Sequence, residues 1–75
     1  MRYYVITAKV VKQVDGNMQE REKKKVAFVN NQREAVMLAQ KAQWTDADDL
    51  FHNLQECHEI SFLEYKQLKQ EWGKI

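Results

Sequence analysis

The sequence predicts an α+β domain, a long N-terminal antiparallel β-hairpin packed on one face by about three short helices in the order ββααα. Three observations predict it. β-branched and aromatic residues dominate positions 2–14 with a period of two. Asp15-Gly16-Asn17 then gives a turn signal. Beyond position 30, three capping signatures each precede an apolar stripe of helical spacing.

In the first strand Tyr4, Ile6, Ala8, Val10 and Val14 share a face, read as the core side. Tyr3, Val5, Thr7, Lys9, Val11 and Gln13 form the other. The second strand runs from Met18 to about Val29. A two-residue Asp15-Gly16 turn would set Ile6 opposite Lys25 and Ala8 opposite Lys23. A three-residue turn instead sets Tyr4 opposite Phe28, Ile6 opposite Val26 and Lys12 opposite Glu20. Because a one-residue slip exchanges every face, the apolar pattern favours the three-residue turn.

The helices follow in order. Asn31 with Glu34 precedes Ala35, Leu38, Ala39 and Ala42, at i, i+3, i+4 and i+7. Thr45 with Asp48 precedes Ala47, Leu50, Phe51 and Leu54, with Asp46, Asp48 and Asp49 in the first turn, where the helix dipole favours acids. Ser61 with Glu64 opens a third helix whose stripe is Phe62, Tyr65, Leu68 and Trp72. The helix ends fall near 43, 57 and 72.

A chain of 75 residues makes one domain, 1–75, with 1–30 as hairpin and 31–75 as the helical part. At 44% hydrophobic and 31% charged, its composition is globular. The single Cys57 permits no internal disulfide, and neither a signal peptide nor a long apolar run is evident. Those features lead to the expectation of a cytoplasmic protein without membrane contact.

Charge is unevenly shared. Residues 1–30 carry seven Lys/Arg and three acids, whereas residues 31–75 carry five and eight. Six acids and no Lys or Arg lie within 45–64. Asp46, Asp48, Asp49 and Glu56 therefore make a candidate acidic helical face for a basic protein partner; a solvated helix start is the simpler account. In the three-residue register, Lys9, Arg21, Lys23 and Lys25 line up on the outer hairpin face. That column suits phosphate contacts to nucleic acid, while aggregation gatekeeping by edge-strand lysines is its plainer explanation. The same face carries Tyr3, Val5, Val11 and Val29. They call for cover, either from the third helix or, as the favoured expectation, from a second chain in a homodimer.

Catalysis is not expected. His52, Cys57 and His58 are the soft ligand or nucleophile candidates, and on a continuous helix no two of them face each other. Asp46-Ala47-Asp48-Asp49 lacks the glycine and ligand spacing of a calcium loop. Trp44 and Trp72 read as core anchors, and no phosphate-cradling glycine loop occurs. No cofactor is implied. The sequence thus leads to a small non-catalytic regulatory or accessory module that binds another protein through the acidic helical face or the outer hairpin face, with nucleic-acid binding by the basic ribbon as the alternative.

Overall fold

The computed structural model describes residues 1–42 and 49–75, the latter from Asn53 onward with its side chains. Strand β1 (Arg2–Val14) pairs antiparallel with β2 (Asn17–Val29); helix α1 (Gln32–Lys41), strand β3 (Asp49–Ile60) and helix α2 (Phe62–Trp72) follow. The sheet order is β2-β1-β3, so β1 is central and paired on both edges. The fold class is α+β as expected, but the second of the three expected helices is a strand. The segment 31–75 is therefore not wholly helical.

Helical spacing at Leu50, Phe51, Leu54 and Cys57 misleads because β3 is bulged. Ala8 pairs with Leu54 and Ile6 with Cys57, leaving an extra residue between them. The bulge puts Leu54 and Cys57 on one face although they are three positions apart. Both are partly buried against the same core. A bulged strand thus imitates a helix in the spacing of its apolar residues. The free edge of β1 supplies the tertiary demand that the local pattern does not record.

The hairpin turn is the two-residue Asp15-Gly16, with φ of +50° and +80°. Positive φ at both central residues matches the twist of paired strands, and Asp-Gly suits it. Val14 pairs with Asn17, Ile6 with Lys25 and Ala8 with Lys23, which corrects the three-residue register. The apolar pattern could not arbitrate because the end of β2 is buried on both faces. Val26 is fully buried on one face, and Ala27 and Val29 are buried on the other. Turn geometry decides where pattern is silent. A Cβ on Gly16 would meet no atom within 4 Å, so only backbone strain opposes a side chain there. Gly16→Ala should accordingly cost about 1–2 kcal/mol in urea unfolding; a neutral or stabilising result would contradict this turn.

Each face of the sheet has its own helix. Ala35 and Ala39 of α1 are fully buried against Tyr4, Ile6, Ala8, Val10, Ala27 and Val29. Small side chains on that stripe let the helix sit close to the strands. Its start is capped as the sequence indicates: Asn31 Oδ1 accepts from Glu34 N at 2.9 Å, and Glu34 Oε2 accepts from Asn30 N at 2.9 Å. On the other face Tyr65 of α2 lies 4.7 Å from Tyr3 between ring centroids, and Tyr3 stacks on Phe28 at 4.8 Å. The Ser61–Glu64 capping box opens α2. Thus α2 takes the covering role that the sequence reading gave to a second chain.

After α2 the chain reaches the outer edge of β2. Val26 N donates to Gly73 O at 3.1 Å and Ile75 N donates to Val26 O at 2.9 Å, forming a parallel bridge. Ile75 packs against the α1-side core. The longest dimension is 43 Å, about the length of a 13-residue strand at roughly 3.3 Å per residue.

Candidate functional site

The two-residue turn sorts the charges of the hairpin onto different faces. Directly paired residues share a face, so Arg21 joins Val10, Lys23 joins Ala8 and Lys25 joins Ile6 on the α1 side. Lys12, paired with Gln19, lies on that side as well. The acids of β2, Glu20 and Glu22, alternate onto the α2 side. There Lys9 Nζ is 3.9 Å from Glu20 Oε2, and Lys24 Nζ is 3.8 Å from Glu22 Oε1. One face of β2 therefore alternates cation after cation at Arg21, Lys23 and Lys25. The other mixes Lys24 with two glutamates.

This revises the expected basic column. Lys9 pairs with Glu22 rather than Lys23, and lies on the opposite face from Arg21, Lys23 and Lys25. Lys12 is the addition, placed by the sequence reading opposite Glu20. Successive cations on β2 are about 6.6 Å apart at roughly 3.3 Å per residue, comparable to successive phosphates along a nucleic-acid strand. Reading Asp15-Gly16 by its turn preference alone would have found this row.

The other sequence candidates are dispersed. Asp46 and Asp48 lie outside the described residues, as do Thr45 and Trp44. Asp49 opens β3 opposite Lys12, and Glu56 lies on β3 opposite Thr7. The helix that would have joined them into one acidic face is therefore absent over 49–60. Glu56 Oε1 lies 3.3 Å from His58 Nδ1, both side chains being more than half exposed. Of the expected dimer face, Val5 and Val11 are buried within the chain and Tyr3 is covered by α2. Val29 is buried on the opposite, α1 side. The apolar reason for a second chain is thereby removed.

Cys57 is half-buried beside a shallow groove of about 250 Å³ between α1 and β3, with Gln32, Val36 and Leu54 on its walls. Gln32 Nε2 donates to Cys57 O at 2.6 Å, occupying a carbonyl of β3. Burial pushes the Cys57 thiol above its ordinary pKa, which disfavours the nucleophilic thiolate. Among the described residues no group of three or more His, Cys, Asp and Glu is placed to hold a metal ion. Among them, too, no helix is long and apolar enough to cross a membrane.

At the other side of the β2 edge, aromatic rings and lysines interleave. Lys24 Nζ lies 5.2 Å from the Trp72 ring centroid, Lys66 Nζ 5.5 Å from that of Phe62, and Lys69 Nζ 5.9 Å from that of Tyr65. Sequence reading assigned Trp72 to the core, whereas it is only partly buried at the sheet edge. No protein-family model, curated protein or solved structure matches the chain.

Proposed function

We propose that this chain is a non-catalytic binding module that takes nucleic acid along the basic face of β2. The observation that carries the reading is the register: Arg21, Lys23 and Lys25 alternate down one face of an edge strand, with Lys12 beside them on β1. Glu20 and Glu22 fall on the other face of β2, while Asp49 of β3 stands opposite Lys12 in the ladder. Phosphate contacts of this kind position a nucleic acid without reading its sequence.

Affinity gained by displacing counterions has a measurable signature. With four cations engaged, log K against log salt should fall with a slope of about −3, at roughly 0.7 per phosphate for a single strand. Titration of a labelled oligonucleotide at several salt concentrations gives that slope. A slope near zero, or no binding at low salt, would reject the reading.

A protein partner is the second reading, favoured by exposed apolar side chains on α1. Met37 and Leu38 are 47% and 41% exposed. Such a partner would meet α1; Glu56, paired with Thr7, faces the α2 side and stands outside that contact. Asp49, which opens β3, would contribute charge to that contact. This reading gains ground if the oligonucleotide titration fails and Met37→Asp abolishes capture of a partner that the unaltered chain retains.

A further inference from the structure

We propose that the β2 edge binds nucleic acid as a single strand, with Trp72 stacking a base and Lys24 and Lys25 contacting the adjoining phosphate. This rests on the reading of β2 as a nucleic-acid site and names the form of ligand it selects. Successive strand residues face opposite ways, so Lys24 and Lys25 leave β2 on different faces. Both nevertheless reach the residues that end α2. Lys24 Nζ lies 5.2 Å from the Trp72 ring centroid. Lys25 Nζ lies 3.7 Å from where a Cβ on Gly73 would be.

This approach follows from how α2 ends. The bridge between Val26 and Lys74 fixes the chain against the outer edge of β2 directly after Trp72. Gly73, at φ +86°, permits the turn into that bridge. Trp72 is thereby set at the β2 edge, partly buried, beside Lys24 on the α2 side, while Lys25 of the row reaches the neighbouring Gly73. A strand leaving that row at Lys25 and passing over the β2 edge meets the Trp72 ring with the Lys24 ammonium on it.

Lys24 now occupies the ring by a cation–π contact and also lies 3.8 Å from Glu22 Oε1. Both are weak at an exposed site. A stacked base is worth more than either, and the displaced ammonium gains a charge-assisted phosphate contact. The exchange is therefore favourable. It requires a base whose face is free. Bases in a duplex already stack on each other, so the site selects an unpaired strand.

The test uses the full chain with Trp44→Phe, leaving Trp72 as its one tryptophan. Oligothymidylate and a duplex of equal length are titrated at the same salt concentration. Quenching of Trp72 by the single strand and tighter binding than to the duplex are expected. Trp72→Ala should weaken single-strand binding between about fivefold and a hundredfold, while leaving duplex and heparin binding in place. Lys24→Gln with Lys25→Gln should reduce the salt slope by about 1.4 at roughly 0.7 per contact. Equal affinity for both forms with Trp72 fluorescence unchanged would overturn single-strand selection and leave the polyanion site standing. If neither form binds at low salt, both readings fall.

Discussion

Replacing Ile6 by alanine is expected to remove much of the stability of the fold. Ile6 is fully buried on the central strand, between Lys25 of β2 and Cys57 of β3 in the two ladders. It belongs to the core under α1, whose buried residues, Ala35 and Ala39, are too small to fill a void. Truncating a buried isoleucine costs about 2–5 kcal/mol. A chain of this size has roughly 4–11 kcal/mol in total, at about 0.05–0.15 per residue. A loss near 3 kcal/mol lowers the melting midpoint by roughly 12–24 °C. Thermal melting followed by circular dichroism gives the answer, with Met37→Ala as the exposed comparison expected within about 0.5 kcal/mol. An Ile6→Ala midpoint within a few degrees of the parent would show that the sheet does not pack on α1 this way.

The second large effect is expected at Tyr65, and it differs in kind. Tyr65 is 6% exposed and carries the contact of α2 with the sheet through Tyr3 and Phe28. Tyr65→Ala should cost about 3–5 kcal/mol, the range for a large buried aromatic. It should also free α2 from the sheet, baring Val5, Val26 and the Tyr3–Phe28 stack. An apolar sheet face of that kind drives association. Light scattering over a range of concentrations should therefore show the parent as a monomer and Tyr65→Ala self-associating. A variant that stays monomeric and keeps its unfolding midpoint would mean that α2 does not cover this face. A parent that dimerises would restore the expectation that two chains pair their sheets.

Local signals in the sequence were legible where local geometry alone decides. Asn31 with Glu34 and Ser61 with Glu64 mark the two helix starts, because caps satisfy backbone groups within a few residues. The hairpin and its turn position are equally plain. What sequence could not supply was long-range. The strand at 49–60 has Ile60 as its only β-branched residue, and forms because β1 needs a partner on its second edge. Its bulge made Leu54 and Cys57 look helical. The register failed for a related reason: burial of both faces of β2 near Val26 left the face pattern without a vote. The candidate site inherited both errors. Lys9 was grouped with cations it does not face, and Asp49 and Glu56 were given a helix that does not exist there. The approach of Lys24 to Trp72 and of Lys25 to Gly73 depends on the bridge at Val26, which no local pattern announces.

The central claim is that binding follows the face on which charge lies and not the charge of the chain as a whole. Two variants of equal charge separate these. Arg21→Gln with Lys23→Gln alters the α1 side of β2, and Lys9→Gln with Lys66→Gln alters the α2 side. Both lower the net charge by two, and the measurement is the affinity of each for one labelled oligonucleotide across salt concentrations. Loss of about 1.4 from the slope, at roughly 0.7 per contact, is expected for the first variant, with the second close to the parent. Equal losses in the two variants would contradict the claim.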